Sequence, residues 1–189
     1  MNITSATFVK GIVDTDPLLE DGIPQIAFIG RSNVGKSSVI NAFVNQKGLA
    51  ITSSFPGRTQ QINLFLVNKN FYLVDLPGYG FAKVSADRRM EIENLINWYF
   101  FDSGYKQKKV VLIIDAKVGP TNDDLNMLHS LEAEEKNIIV LANKVDKIKK
   151  SDYEKKFEKI CLAIGDHKVI PFSAEKRFGI NELVNAIAH

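Results

Sequence analysis

The sequence predicts an α/β domain of three layers: a mostly parallel six-stranded sheet with one antiparallel edge strand, covered by helices on both faces. Three observations carry this expectation. Short runs rich in Val, Ile and Leu alternate with amphipathic stretches along the chain, the pattern of doubly covered parallel strands joined by helices. The turn Asn68-Lys69-Asn70 between two apolar runs is too short for a crossover, so those two runs must pair antiparallel, because parallel neighbours need a dozen or more connecting residues. A chain of 189 residues, 45% of them hydrophobic, can bury one good core and is short for two.

Taken in order, residues 1–24 carry Gly11, Asp14, Asp16, Pro17 and Gly22 with little periodicity. They are expected as an N-terminal arm packed on the domain proper, 25–189. Strands are expected near 25–30, 62–67, 71–75, 110–115, 138–142 and 168–172, each a short apolar run bounded by turn residues. A helix should run from Lys36 to about Gln46 with Gly48 as its C-terminal cap. The next spans about 86–102, where Ile92, Leu95, Ile96, Tyr99 and Phe100 form an apolar stripe ended near Gly104. A third starts after Thr121 with Asp123 and Asp124 in its first turn, a fourth opens on the capping box Ser151-Asp152-Tyr153-Glu154, and a last one covers 181–188.

Composition narrows the function classes. The runs VVLII at 110–114 and IIVLA at 138–142 are far shorter than the roughly 20 residues of a membrane helix, and MNITSATFVKG lacks a signal peptide's apolar core. No membrane association and a cytoplasmic location are therefore expected. The single Cys161 cannot form an internal disulfide, and KKFEKICLAIG places it on the apolar face of a helix as a buried, inert thiol. A net charge of +2 permits nucleic-acid contact without arguing for it. KQKK at 106–109 and the lysines at 147, 149, 150, 155, 156 and 159 read equally as phosphate contacts or as a solvated face. His129, His167 and His189 lie in no motif and are not spaced as metal ligands.

The chemistry is concentrated in loops that leave predicted strands. Residues 30–37, GRSNVGKS, fit G-x-x-x-x-G-K-[ST] directly after a strand and before a helix. Gly30 and Gly35 let the backbone curl so that the N–H groups of Arg31, Ser32, Asn33, Val34 and the helix start cradle phosphates. Lys36 reaches the outer phosphates, Ser37 can ligate Mg²⁺, and Ser38 adjoins the cradle. Downstream, LVDLPGYGFAKV at 73–84 places Asp75 at a strand end to hold Mg²⁺, followed by Leu76, Pro77 and Gly78, whose N–H can approach a terminal phosphate without a side chain in the way.

Between these two loops a threonine is needed to sense the terminal phosphate and complete the metal shell. Thr59, in Gly57-Arg58-Thr59-Gln60-Gln61 just before a strand, is favoured over Thr52. Then Asn143-Lys144-Val145-Asp146 leaves another strand. Its Asp146 can accept from guanine's N1–H and 2-amino group, Asn143 can bond the O6/N7 edge and tie the loop down, and Lys144 can lay its stem on the ring. Unpaired buried groups would reject adenine strongly. Ser173-Ala174-Glu175 follows the last strand and can add backbone N–H groups toward O6. These residues predict binding of GTP and GDP with Mg²⁺.

The order GRSNVGKSS, PGRTQQIN, DLPGYGFAKVS, NKVD and SAEK resembles the EngB (YihA/YsxC) family of bacterial ribosome-biogenesis GTPases, within the TrmE-Era-EngA-EngB group, over roughly residues 5–188. DLPGYGFAKVS is the most specific stretch. The resemblance implies a Ras-like P-loop GTPase fold, slow GTP hydrolysis by a monomer, association with the large ribosomal subunit precursor during assembly, and a link to division and septation. A guanine-nucleotide-dependent scaffold for division proteins is the alternative. Asn143 departs from the threonine that many members carry there and leaves guanine recognition intact.

The resemblance also bears on Tyr79, which stands where Ras keeps a water-orienting glutamine and which is itself no base. Such relatives act without that glutamine. Asn33 is similar to the phosphate-loop asparagine that ligates K⁺ in potassium-stimulated members, where the ion neutralises charge developing between the outer phosphates. The alternative roles are loop stabilisation by the Asn33 side chain and a finger in cis from Arg58. Lys36, Thr59, Gly78 and Asn33 are thus the expected catalytic set. Replacing Tyr79 by alanine is expected to alter loop packing while leaving hydrolysis within roughly tenfold.

Overall fold

The computed structural model describes residues 2–50, 61–80 and 85–188. Its centre is a sheet of seven strands: β1 (Ala6–Ile12), β2 (Gln25–Gly30), β3 (Ile62–Val67), β4 (Phe71–Asp75), β5 (Gln107–Asp115), β6 (Ile138–Asn143) and β7 (Lys168–Pro171). Their order across the sheet is β1-β3-β4-β2-β5-β6-β7. Strands β4, β2, β5, β6 and β7 pair in parallel, whereas β3 pairs antiparallel with both β4 and β1. The hairpin forms as expected around Asn68 and Lys69, which adopt φ of 50° and 56°. Such left-handed turn residues match the twist of the two strands.

The N-terminal arm differs from expectation. Residues 6–12 form an edge strand that pairs with β3 from Ala6–Val67 to Ile12–Ile62, so the sheet has seven strands rather than six and the antiparallel strand is not at the edge. The sequence concealed this because only Ala6 and Ile12 of the strand are buried, while Phe8 and Val9 are exposed; an edge strand that is mostly solvated shows no clean alternation. A register irregularity between Phe8 and Lys10 breaks the outer edge, a usual device against pairing with another chain.

Helices cover both faces. On one lie α1 (Lys36–Phe43) and α5 (Ile180–Ala188), packing Val39, Ile40, Phe43, Leu183 and Ile187 against Ile26, Phe28, Val111, Ile113 and Leu141. The other carries α2 (Ala86–Asn97), α3 (Asn122–Ala133) and α4 (Tyr153–Ile164), with Ile92, Ile96, Leu128, Leu131, Ile160 and Ile164 against Ala27, Ile29, Leu112, Ile114 and Val140. Successive strand residues feed opposite cores, which is why their runs are continuously apolar.

Several boundaries move for local reasons. Helix α1 stops at Phe43 rather than Gln46 because Asn45 turns left-handed at φ 54°, a conformation asparagine tolerates. The Asn41 amide then holds the chain back through two 2.8 Å bonds to the Ala50 backbone. The expected helix at 86–102 is α2 followed by a widened π turn at Trp98–Asp102. The capping box at Ser151 does not form: α4 starts at Tyr153 without a side-chain cap, and Ser151 Oγ donates to Asp152 instead. Cys161 is half-buried rather than buried. Glu132 ties α3 to the segment before β7, with His129 Nδ1 and His167 Nε2 at 2.9 and 2.7 Å from its oxygens. Among the described residues no helix is long and apolar enough to cross a membrane.

A buried polar chain fixes the N-terminal segment to the domain. Tyr99 Oη donates to Gln25 Oε1 at 2.8 Å, and Gln25 Nε2 donates to the Leu19 carbonyl at 2.8 Å. Tyr99→Phe deletes a donor and leaves a buried acceptor unpaired, which should cost about 1–2 kcal/mol. Urea unfolding should show a lower midpoint at unchanged slope; an unchanged midpoint would remove this bond from the stability of the fold.

Candidate functional site

The parallel strands all deliver their following loops to one end of the sheet, where α/β sheets gather ligand-binding groups. There the phosphate-type loop after β2, the Asp75-Leu76-Pro77-Gly78 segment after β4, the Asn143–Asp146 loop after β6 and the Ser173–Glu175 segment after β7 come together.

Gly35 shows how closely they meet. It has φ of 95°, and a Cβ on it would lie 2.6 Å from Asn143 Nδ2, so both backbone conformation and space exclude a side chain. Val34 is buried in the core and anchors the loop, and Asn33 turns left-handed at φ 64°. Helix α1 begins at Gly35 with no side-chain cap and no acid in its first turn, which leaves its first amides and the positive end of the helix for an anion. Ser37 and Ser38 lie in that first turn, half-buried and exposed.

The Lys36 ammonium is paired with Asp75, whose carboxylate is buried at the end of β4. Past it, Leu76 and Pro77 are buried, and the backbone at Gly78 lies directly on the loop: a Cβ there would sit 3.2 Å from Gly30 O and from Ser32 N and Cα. Ser32 N–H donates to the Tyr79 carbonyl at 2.8 Å. The Arg31 side chain lies over Gly80. Tyr79 is buried, and its hydroxyl donates to Asp124 Oδ1 at 2.7 Å. Burial, and after it the charge and hydrogen bond of Asp124, push the phenol well above the ordinary tyrosine range. Tyr79 is therefore a permanent donor and no base. Its alanine variant would empty a buried site, so the tyrosine carries more weight than its sequence position suggests.

On the other side of the site Asn143, 2% exposed, donates Nδ2 to the Val34 carbonyl at 3.0 Å and accepts the Ala174 N–H at 3.2 Å. Both ends of its amide thus tie loops together, as expected, and the Ala174 N–H takes part in the same tie. Lys144 has φ of 69°, and its ammonium donates to the Asn33 carbonyl at 2.8 Å and to Asp115 Oδ2 at 2.7 Å. Val145 is buried beneath the loop.

Asp146 Oδ1 accepts from Ser173 Oγ at 2.5 Å. Its Oδ2 is buried and takes no hydrogen bond among the described residues, although the Lys147 ammonium stands 3.2 Å away as an ion pair. Burial alone would raise this carboxyl; the Ser173 hydroxyl and the Lys147 ammonium outweigh it and hold Asp146 below the ordinary value. Lys147 also reaches Glu175 at 2.6 Å. A cleft of about 690 Å³ opens here, lined by Gly35, Ser38, Asn143, Lys144, Asp146 and Ala174 among others. A carboxylate at this cleft, acceptor-only when ionised, is matched to two adjacent N–H groups on a ring edge.

Gln61 lies beside Gly11 of β1 and donates to Asn63 Oδ1 at 3.0 Å. Thr52, Gly57, Arg58, Thr59 and Gln60 lie outside the described residues. The sequence reading gave two carboxylates no part in the site. Asp115 ends β5 as Asp75 ends β4, a position that could have flagged it; Asp124 answers Thr121 in a complete capping box, and the pattern Thr-x-x-Asp was readable.

The strand-loop-helix cradle and the aspartate cleft define a guanine-nucleotide-binding P-loop domain. The family described as 50S ribosome-binding GTPase matches residues 25–144, and the elongation factor Tu GTP binding domain matches residues 103–189. A probable GTP-binding protein EngB of Clostridium perfringens (strain 13 / Type A) is 43% identical over 188 residues, 98% of this chain and 95% of that protein. The EngB of Acholeplasma laidlawii (strain PG-8A) is 42% identical over 187 residues, 98% of this chain and 97% of its own. A crystal structure of a probable GTP-binding protein engB superposes with a TM-score of 0.72 at 26% identity, covering 87% of this chain and 96% of that one. The chain belongs to the EngB family of GTP-binding proteins and has the Ras-like GTPase fold.

Asp146→Asn replaces an acceptor by a donor at the cleft. GTP affinity should fall by about 100-fold, the worth of two charge-assisted hydrogen bonds, while xanthosine triphosphate, with a carbonyl at position 2, gains. Competition binding of the two nucleotides checks this, and unchanged GTP affinity would take Asp146 out of the base site.

Proposed function

We propose that the chain is a GTP-driven switch in assembly of the large ribosomal subunit, with slow hydrolysis and a connection to cell division. The observation that carries the nucleotide part is the Asp146 carboxylate, whose buried Oδ2 takes no hydrogen bond among the described residues, in a loop tied by Asn143 to the phosphate loop. One end of the cleft thus recognises guanine while the other supplies the α1 amides and Lys36 to phosphates. The ribosomal part rests on kinship: the matching family is described by 50S ribosome binding. Exposed lysines at 106, 108, 149, 150, 155 and 159 offer charge for an RNA backbone.

The donor set of Asp75 and Ser37, with Thr59, is hard oxygen and suits Mg²⁺; when bound, the ion neutralises charge on the outer phosphates. For their part the protein groups orient and stabilise. Lys36, now paired with Asp75, is a cation that exchanges a carboxylate for phosphate, and Gly78 offers its N–H toward the terminal phosphate. With Tyr79 buried and protonated, the attacking water is positioned by backbone and a cation. Asn33 is exposed, and among the described residues its amide side chain makes no hydrogen bond, which leaves it free to ligate K⁺ and disfavours the loop-stabilising alternative.

Asn33→Ala should abolish stimulation of single-turnover hydrolysis by KCl over NaCl at equal ionic strength while sparing nucleotide binding. Equal rates of the unaltered protein in both salts would end the potassium reading and return the search to Arg58 or a partner's group. For the ribosomal role, lysate fractionated on sucrose gradients should show comigration with the large subunit or its precursors in GTP and release in GDP. Absence from every ribosomal fraction would favour a scaffold for division proteins instead.

A further inference from the structure

Tyr79 stands at a junction of three elements. Its carbonyl accepts the Ser32 N–H of the phosphate loop at 2.8 Å, and an isolated parallel bridge between Arg31 and Tyr79 extends the β2–β4 pairing into the loops. At the other end of the residue the hydroxyl donates to Asp124 Oδ1 at 2.7 Å. Asp124 is 2% exposed, and its Oδ2 accepts the Thr121 N–H at 2.9 Å and the Thr121 hydroxyl at 2.7 Å. One buried carboxylate therefore caps α3 and holds the segment that follows Gly78. A buried hydrogen bond to an ionised acceptor is among the stronger contacts a side chain makes, and this one is placed to fix a backbone rather than a substrate.

We propose that Tyr79 is a positioning residue that, through the Tyr79–Asp124 bond, pins the Gly78 backbone against the phosphate loop and so sets recognition of the third phosphate. This rests on the GTPase reading of the site and says what occupies the place of a water-orienting glutamine. The side chain at this position acts through its anchorage to α3, and the tight approach of Gly78 to Gly30 O and Ser32, 3.2 Å for an added Cβ, is the geometry it maintains. Since Gly78 serves only the terminal phosphate, diphosphate binding does not depend on the anchor.

The test separates anchorage from general stability. Tyr79→Phe keeps the ring and deletes only the donor. It should bind GDP within about twofold of the unaltered protein, weaken a non-hydrolysable GTP analogue about tenfold and slow single-turnover hydrolysis about tenfold, the order expected for one hydrogen bond to a charged group. Thr121→Ala removes the capping hydroxyl but leaves the Tyr79 bond. It should lower the melting temperature while leaving the ratio of analogue to GDP affinity unchanged. Equal weakening of both nucleotides in Tyr79→Phe, no weakening of either, or the same loss of selectivity in Thr121→Ala would overturn the inference. Failure of the unaltered protein to bind or hydrolyse GTP would fall on the GTPase reading instead.

Discussion

The site depends on one buried amide. Asn143 donates to Val34, accepts from Ala174 and packs on Gly35, so a single side chain stitches the loops that follow β2, β6 and β7. A buried amide with both ends satisfied is rigid because either bond lost would strand a polar group away from water. The glycine at 35 is the complement of that constraint. The base cleft and the phosphate cradle are consequently one body, and distance between them is set by the protein before any nucleotide arrives.

Charge is arranged on the same plan. Lys36 with Asp75 and Lys144 with Asp115 pair a cation with a carboxylate at another strand's end, and Lys147 joins its neighbour Asp146 to Glu175 of the segment after β7. Pairing keeps partly buried ions from facing an apolar core alone. It also means that binding exchanges partners rather than desolvating bare charges, which favours a polyphosphate that offers more negative charge than one carboxylate.

The second half of the site is mechanical. The segment after β4 is clamped between the phosphate loop, through Ser32, and α3, through Asp124. Helix α3 is itself stabilised by the same carboxylate in its capping box. The phosphate loop is thereby connected to an outer helix by two hydrogen bonds and a rigid ring.

Much of this was legible in the chain. Spacing alone placed Gly30 and Asp75 at the ends of parallel strands, Gly35, Gly78 and Asp146 in the segments that follow and Lys36 at a helix start, because such motifs encode backbone curvature and functional groups locally. The parallel core strands were equally plain, being apolar on both faces. What the sequence did not determine was decided between segments far apart: that residues 6–12 close the sheet edge, that Val34 and Ala174 are the partners Asn143 ties, and that Tyr79 reaches Asp124. Edge strands, shared amides and buried phenol–carboxylate bonds leave no periodic trace, since each is specified by a partner dozens of residues away and exists only once the sheet has brought the two together.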